Sequence, residues 1–302
     1  MLPFKLIYSD EYYLPIGQHV FPAEKYRRIH CRLIETGVAD PSDFVTPQPA
    51  SDQDILLVHT PAYVNKLKTG TLSAREELQL EVPYSPELVH AFWLAAGGSI
   101  LAAEYALKDG IAVNIGGGFH HAFPDHGEGF CMIHDVAVSI RRMQKDGKIR
   151  TAMTLDCDVH QGNGTAAIFR DDASVFTFSM HDEHNYPAIK PPSDLDVGLE
   201  TGTLGAEYLA ALESHVPAIL ERHRPDLVAY VAGADPFEQD QLGGLKLSRE
   251  DLRKRDRVVY ETSAAREIPV VAFLAGGYAA RVEDTVGIHA DMIEGAFLTS
   301  RA

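Results

Sequence analysis

Short apolar runs alternate along the chain with longer segments in which apolar residues recur at helical spacing. Most of the short runs are continuously apolar, which is typical of strands that are covered on both faces in a parallel sheet. The pattern predicts strands at Phe4–Ser9, Ile111–Ile115, Thr151–Leu155, Ser174–Ser179, Leu227–Gly233 and Pro269–Gly277. The chain is therefore expected to consist of repeated strand and helix units.

The segments between the predicted strands carry helix start and stop signals. Ser85 is placed to cap a helix that Gly110 ends, and Ser248 opens another helix with capping-box spacing. Pro217 lies inside a third helical pattern, where it is expected to kink or end the helix. The alternation predicts an α/β fold, a three-layer sandwich with a mostly parallel central sheet. Because no repeat or low-complexity linker divides the sequence, residues 1–302 are expected to form one domain.

Net charge and cysteine content indicate which kinds of partner and which cellular compartment to expect. The formal net charge of −16 argues against a nucleic-acid-binding surface but leaves a cationic substrate open. Cys31, Cys131 and Cys157 lie far apart and form no CxxC pair, which is typical of a reducing compartment. The sequence contains neither a signal-peptide pattern nor a long uninterrupted apolar stretch. We therefore expect a cytoplasmic protein that binds no nucleic acid and no membrane.

Reactive side chains follow the carboxyl ends of five predicted strands. They are the pair His120–His121, the segment "DCDVHQGNG", the segment "SMHDEHNYP", Asp235 and Tyr278. In open α/β sheets, ligands bind beyond the carboxyl ends of the strands. The sequence therefore predicts one site at this edge of the sheet.

One of these segments has the spacing of a metal site. Asp156, Asp158 and His160 recur every second residue, so they share a face on extended backbone. With Asp235 as a third ligand, Asp158 and His160 would form the Asp₂His set of a catalytic zinc site with one open position. The alternative is a polar turn in which these side chains cap backbone groups. Asp156 can instead orient one histidine of the upstream pair, as Asn163 can orient the other.

Three glycines, Gly116–Gly118, precede the pair His120 and His121. A phosphate-binding loop is disfavoured, because the stretch lacks both GxGxxG and a GK[ST] ending. One such histidine would ordinarily be a satisfied core residue, but two adjacent ones after three glycines weaken that explanation and leave a metal site or a buried acid–base pair open. The glycines permit positive φ and allow backbone groups to approach a ligand closely.

Two further segments have a structural explanation beside a chemical one. Tyr278 can donate a hydrogen bond to a developing oxyanion, or it can be an ordinary half-buried tyrosine. Gly129 and Phe130, in "GFC", can line a narrow channel or form a tight loop before the next helix. Neither segment identifies a function when it is taken alone.

Taken together, the motifs resemble the landmarks of the histone deacetylase family, and they occur in the same order. The motifs are "GGGFHHA", "GFC", "DCDVHQGNGT", "FSMH", "GADPFEQDQLGGL" and "AGGY". The resemblance implies the arginase–deacetylase fold. Within the family, "HQGNG" and "DQLGGL" resemble most the class IV branch and its bacterial relatives.

This resemblance implies a zinc-dependent deacetylase or deacylase. The substrate would be an acylated lysine in a peptide or protein, or an acylated polyamine. One Zn²⁺ would be held by Asp158, His160 and Asp235. His121 would act as the main general base and later as the acid, and His120 would assist it electrostatically.

The resemblance also implies supporting roles. Asp156 would orient His120, and Tyr278 would bind the carbonyl oxygen together with zinc. The acyl-lysine tunnel would be lined by Gly129, Phe130 and, on the opposite wall, Tyr186. A monovalent cation, K⁺, would be bound by Asp156 and by backbone oxygens near Asp158, His160, Ser179 and Met180.

Asn163 departs from the family pattern. Many members place an aspartate beside the second histidine, and an anion there would raise the pKa of that imidazole. A neutral amide does not, so we expect a pH profile that differs from that of aspartate-bearing relatives.

Two other classes of function compete with this interpretation. An arginase-like ureohydrolase needs additional carboxylates to hold two metals about 3.5–4 Å apart. Here position 162 is a glycine, and Asp235 is followed by Pro236 and Phe237 where a second aspartate would be needed at position 237. A non-catalytic metal-binding module is expected to lack a ligand or a reacting side chain, and all of these are present in the sequence.

Overall fold

The computed structural model describes residues 1–300 of the chain. Within this range eight strands form one sheet, and every neighbouring pair is parallel. The strands are β1 (Lys5–Ile7), β2 (Phe44–Val45), β3 (Ile111–Asn114), β4 (Ala152–Asp156), β5 (Val175–Asp182), β6 (Leu195–Leu199), β7 (Leu227–Val231) and β8 (Val270–Phe273). Their order across the sheet is β2-β1-β3-β8-β7-β4-β5-β6.

Helices lie in the connections between the strands, except between β5 and β6, and one helix follows β8. They are α1 (Lys25–Glu35), α2 (Asp52–Ile55), α3 (Pro61–Thr69), α4 (Ala74–Leu80), α5 (Pro86–Asp109), α6 (Asp135–Lys145), α7 (Asn163–Phe169), α8 (Gly205–His223), α9 (Arg249–Ala264) and α10 (Val282–Thr299). Two short 3₁₀ helices lie at Asp10–Tyr12 and Pro41–Asp43. Within residues 1–300, none of the helices combines the length and the apolar character needed to cross a membrane.

Both faces of the sheet are covered. Leu6 and Tyr230 belong to one buried cluster, whereas their neighbours Ile7 and Val231 belong to another, because successive side chains of a strand point to opposite faces. The first cluster includes buried residues of α1, α8, α9 and α10, and the second includes those of α6 and the C-terminal half of α5. The predicted three-layer α/β architecture is therefore confirmed, and the sheet is parallel throughout.

The predicted helix boundaries are confirmed at α5 and α9. The hydroxyl of Ser85 accepts a hydrogen bond from the backbone N–H of Leu88, and α5 ends at Gly110, which has a φ of +84°. At the start of α9, Ser248 and Asp251 form a capping box in which each side chain accepts from the other's backbone N–H. Local sequence signals therefore mark these helix ends correctly.

The prediction that Pro217 could end a helix is wrong, because α8 continues through it to His223. A proline inside a helix leaves the carbonyl of the residue four positions earlier without its N–H partner. That residue is Glu213, which is exposed, so water can satisfy its carbonyl.

The apolar pattern does not predict the two edge strands. β2 has only two residues, which is too short for any periodicity. β6 alternates half-buried and exposed positions and contains Asp196 and Gly198, residue types that are depleted in strands. Both strands gain their partners from the neighbouring strand rather than from their own composition.

Four adjacent strands in the middle of the sheet, β3, β8, β7 and β4, lead into the segments with reactive side chains. His120 follows β3, Tyr278 follows β8, Asp235 follows β7 and Asp158 follows β4. Because parallel strands end at the same edge, the fold brings these four segments together.

Candidate metal and proton-transfer site

The loop after β3 carries the histidine pair and is held by buried groups. The backbone N–H groups of Gly118 and Phe119 donate to the carboxylate of Asp135, at 3.0 and 2.8 Å. Gly118 has a φ of +102°, and an added Cβ at Gly116 would overlap the ring of Tyr12. The close contacts that these glycines permit are therefore with Asp135 and Tyr12, which hold the loop in place.

His120 is buried and pairs with a carboxylate. Its Nδ1 lies 2.7 Å from Oδ2 of Asp156, and its Nε2 lies 3.8 Å from Oδ1 of Asp158. Burial lowers the pKa of the imidazole, but the two carboxylates outweigh burial and raise the pKa to about 9. Because a carboxylate only accepts, Nδ1 carries a proton and donates it to Asp156.

His121 is equally buried, but its partner is neutral. Its Nδ1 lies 2.7 Å from Oδ1 of Asn163, and its ring centre lies 4.0 Å from that of His120. Burial, and then the positive charges of His120 and His160, hold the pKa of His121 well below its usual range. A neutral imidazole with Nδ1–H bound to an amide oxygen keeps a free lone pair on Nε2.

Asp158, His160 and Asp235 form a buried cluster whose ligand atoms all lie within 4.8 Å of one another. Nδ1 of His160 lies 3.1 Å from Oδ1 of Asp158 and 3.5 Å from Oδ2 of Asp235. Oδ2 of Asp235 has no hydrogen-bond partner within residues 1–300, although it is buried. A buried carboxylate oxygen without a donor is costly, so the cluster is poised to receive a cation.

The electrostatics of this cluster fit a divalent metal. Burial, and then the charge of Asp158, raise the pKa of Asp235 to about 7. Burial lowers the pKa of His160, but Asp158 and Asp235 outweigh burial and raise the pKa to about 10. Two carboxylates and one imidazole are ligands that Zn²⁺ takes, and a set of three leaves one position open. The donor set therefore suits a catalytic zinc ion.

The backbone of neighbouring loops orients the cluster. The N–H of Gly276 donates to Oδ2 of Asp158 at 2.9 Å, and the N–H of Val159 donates to Oδ1 of Asp235 at the same distance. An added Cβ at Gly276 would overlap Oδ2 of Asp235, so only glycine leaves room for the carboxylate there. Arg255 of α9 is fully buried and donates to the carbonyl of Gly233 at 2.5 Å.

A cavity of about 180 Å³ opens onto the histidines. It is lined by Glu81, His121, Gly129, Phe130, His160, Asn185, Tyr186, Leu242 and Tyr278. The lining includes all three residues expected in a substrate tunnel. Gly129 must be small here, since an added Cβ would lie 2.9 Å from the ring of His121 and 3.0 Å from that of Tyr186.

Tyr278 reaches this cavity from the loop after β8. Its ring centre lies 6.3 Å from that of His160, and its backbone N–H donates to Asp240 at 2.6 Å. Burial, and then the charges of Asp235 and Asp158, raise the pKa of the phenol well above 10. The hydroxyl therefore stays protonated and remains a hydrogen-bond donor.

The residues that are expected to bind a monovalent cation lie together at the ends of two neighbouring strands. β4 pairs with β5 so that Asp156 is opposite Ser179, and Met180 follows it in the same buried strand end. Asp158 and His160 belong to the loop that continues from β4. The hydroxyl of Ser179 is hydrogen-bonded to Nδ1 of His181 at 2.9 Å.

No spacing pattern in the sequence marks two carboxylates near the site. Asp135 holds the histidine loop, and Glu128 lies against the tunnel wall, where its Oε1 accepts from Asn163 at 2.6 Å and from Tyr186 at 2.8 Å. Each acts through groups distant in sequence, so no local periodicity signals it. His184, unassigned from the sequence, is exposed and pairs with Glu200.

Comparison with known proteins gives a consistent result. A sequence model of the histone deacetylase domain matches residues 19–291. An uncharacterised protein of Picosynechococcus sp. is 42% identical over 287 residues, which cover 95% of this chain and 96% of that protein. Histone deacetylase 2 of Arabidopsis thaliana is 33% identical over 302 residues, with coverage of 96% and 77%. The crystal structure of an HDAC homologue from Aquifex aeolicus is similar with a TM-score of 0.82 and 25% identity, covering 97% of this chain and 83% of that one.

Proposed function

The chain belongs to the histone deacetylase family, and we propose that it is a zinc-dependent amidohydrolase. It would remove an acetyl or longer acyl group from an acylated lysine side chain or a similar amine, and residues 1–302 would form one catalytic domain. The observation that carries the proposal is that His121, His160 and Tyr278 line one cavity. His160 also belongs to the Asp₂His cluster, so the base, the metal ligand and the phenol border the same space.

Asp158, His160 and Asp235 would hold the zinc ion. When bound, zinc would polarise the scissile carbonyl and lower the pKa of a water molecule toward neutrality. Oδ2 of Asp235, buried without a protein donor, supports this assignment. Among residues 1–300 this is the one group of three or more His, Cys, Asp or Glu side chains that could hold a metal ion, which favours a one-metal over an arginase-like two-metal reaction.

His121 would handle the proton. Its Nδ1–H is bound to Asn163, so Nε2 can accept a proton from the attacking water and return it to the leaving amine. The amine is a poor leaving group until it is protonated, and a neutral imidazole is suited to both transfers near pH 7. His120, held by Asp156, would add positive charge beside the base.

Tyr278 would donate its hydroxyl proton to the carbonyl oxygen as that oxygen gains charge. A donor already in place for the oxyanion contributes about 3–4 kcal/mol in well-studied cases. The raised pKa of the phenol supports this role, because an ionised tyrosine could not donate.

The tunnel favours a slender substrate. A cavity of about 180 Å³ with aromatic walls suits the alkyl stem of an acylated lysine. Glu81 lies in the lining as well, and a carboxylate there is compatible with the ammonium groups of an acylated polyamine, which is the alternative substrate. The class IV likeness, the K⁺ site and a cytoplasmic location belong to the same proposal, as does the absence of nucleic-acid and membrane partners.

The proposal is tested by assaying amine release from peptides with acetyl- and longer acyl-lysine and from acylated polyamines, with and without a chelator. We expect turnover of at least one substrate, loss of that turnover on chelation, and recovery with Zn²⁺. Asp235→Asn is the matched variant, because it keeps the side-chain shape and removes a ligand charge. A folded protein that shows no metal-dependent amine release from any substrate would be a binding module and not an enzyme.

A further inference from the structure

Glu128 makes an unusually complete set of contacts for a half-buried side chain. Its Oε1 accepts hydrogen bonds from Nδ2 of Asn163 at 2.6 Å and from the hydroxyl of Tyr186 at 2.8 Å. Its Oε2 accepts from Nε2 of Gln79 at 3.0 Å and lies 3.5 Å from Nε2 of His126. Burial raises its pKa, but these donors outweigh burial and lower the pKa to about 2, so the carboxylate is ionised.

This carboxylate restricts the orientation of one amide. The side chain of Asn163 can present either its oxygen or its NH₂ group to His121. An ionised carboxylate only accepts, so the NH₂ group must face Glu128 and the oxygen must face His121. The backbone N–H of Gly164, which donates to Oδ1 of Asn163 at 3.1 Å, supports the same orientation.

The amide orientation in turn selects one tautomer of the imidazole. An amide oxygen accepts only from a protonated Nδ1, which lies 2.7 Å away. In the neutral ring the proton is then absent from Nε2, which is the nitrogen needed as a base. If the amide of Asn163 were flipped, its NH₂ group would donate to Nδ1 of His121. This would favour the other tautomer, in which Nε2 carries the proton and cannot accept one.

We propose that Glu128 is a positioning residue that fixes the amide of Asn163 and, through it, the tautomer of His121 in which Nε2 can accept a proton. The inference rests on the proposed function. Where many family members have an aspartate beside the second histidine, this chain has a neutral amide backed by an anion. The charge is one side chain further from the imidazole, and the same oxygen also holds the tunnel wall through Tyr186.

The first test compares Glu128→Ala with Glu128→Gln in the full chain. Loss of an outer acceptor that orients a metal-bound histidine typically costs about 10- to 100-fold in activity, and we expect an effect of similar size for one that orients a base. We expect kcat of Glu128→Ala to fall at least about tenfold with little change in KM, whereas Glu128→Gln, whose carbonyl can still accept from Asn163, stays within about threefold. Glu77→Gln removes an exposed carboxylate from the neighbouring helix and is the matched control, expected to behave as wild type.

Double variants separate the route through Asn163 from other routes. In an Asn163→Ala background, Glu128→Ala should have no further effect on kcat. In a Tyr186→Phe background it should still lower kcat about tenfold. Additive losses in the Asn163→Ala background would contradict the inference, because they would show that Glu128 supports the loop or the tunnel wall instead.

A spectroscopic measurement keeps the inference independent of turnover. The ¹⁵N chemical shifts of the imidazole nitrogens, assigned with His121→Asn, report the tautomer in the metal-free protein. We expect Nδ1–H in the wild type and a mixture of tautomers in Glu128→Ala, or in Glu128→Ser should the alanine variant not fold. An unchanged tautomer in the Glu128 variant would overturn the inference, whatever happens to kcat. An inactive wild type would refute the proposed function, and the tautomer measurement would still decide whether Glu128 positions His121.

Discussion

Two pairs of buried histidines lie close together in this molecule and have different surroundings. His120 and His121 face a carboxylate and an amide, and His121 lines the cavity. His59 and His134 bind backbone instead, because Nε2 of His59 accepts from the N–H of His134, and Nδ1 of His134 accepts from the N–H of Ala137. Burial is nearly complete in all four residues, so burial alone does not determine their chemistry.

The partners explain the contrast in charge. Carboxylates raise the pKa of His120 to about 9, whereas burial lowers the pKa of His59 to about 4 despite backbone hydrogen bonds. Burial, with His59 and His120 nearby, also holds the pKa of His134 well below its usual range. A histidine whose ring nitrogen accepts from backbone N–H must stay neutral, which suits a structural residue. In the proposed function, His121 is the neutral member that accepts a proton and His120 is the charged one.

The largest expected effect comes from removing the proposed base. His121→Ala should lower kcat/KM by about 10²- to 10⁴-fold, because positioned general acid–base groups contribute that much. The melting temperature should change little, since the ring borders an existing cavity. Steady-state kinetics and thermal unfolding measure both quantities.

The matched control for that variant lies in the other pair. His134→Ala removes the side-chain cap of α6 and the hydrogen bond to Thr165, so it should lower the free energy of unfolding by about 1–3 kcal/mol. Its kcat/KM, measured on folded protein, should fall less than tenfold. If His134→Ala lost as much activity as His121→Ala, the distinction between a structural and a proton-handling pair would be wrong.

A second prediction concerns stability in acid. The pKa of His59 is about 4 in the folded state and about 6.5 when unfolded, so the unfolded chain binds the proton more tightly. The stabilisation is complete above pH 6.5 and is lost as pH falls toward 4, at a cost of about 3 kcal/mol. Urea unfolding of the wild type and of His59→Gln at pH 7.5 and pH 4 measures the difference.

The glutamine variant cannot titrate, yet its Oε1 can still accept from the N–H of His134. We expect its loss of stability between the two pH values to be smaller than that of the wild type by about 3 kcal/mol. Equal losses would mean that the pKa of His59 is the same in the folded and the unfolded state, so that burial would not distinguish this pair electrostatically.

Much of the site could be predicted because its residues lie at strand ends. Asp158, His160 and Asp235 each follow a buried apolar run, and the parallel topology brings them within 4.8 Å of one another. The partners of the histidines could be anticipated as well. Asp156 and Asn163 contact the two rings as the spacing of the motif suggested, although their roles stay predictions.

The buried charges that support the site could not be predicted. Arg255 lies in a helix rich in Arg, Asp and Glu, a composition that indicates a solvated face, yet it is fully buried between Asp256 and the carbonyl of Gly233. Lys25 is also fully buried and donates to the carbonyl of Ala275. Such charges are tolerated only where tertiary partners satisfy them, and those partners are distant in sequence.

The smallest expected effect comes from changing the charge beside His121. Asn163→Asp would place an anion against Nδ1 and raise the pKa of the imidazole, so the acidic limb of kcat/KM should move to higher pH, by less than about one unit while Glu128 is present. Glu128 opposes this shift, because its Oε1 lies 2.6 Å from the Nδ2 that the new carboxylate oxygen would replace. Two carboxylates in contact share a proton, which reduces the negative charge that the ring experiences.

Combining Asn163→Asp with Glu128→Gln removes that opposition, and the full shift of about one unit should then appear. The pH dependence of kcat/KM for the wild type, both single variants and the double variant distinguishes these cases. The double variant would make His121 resemble His120, with a carboxylate on Nδ1, and so would turn the neutral member of the pair into a second charged one. Superimposable acidic limbs in all four proteins would show that the partner of Nδ1 does not set the pKa of the base.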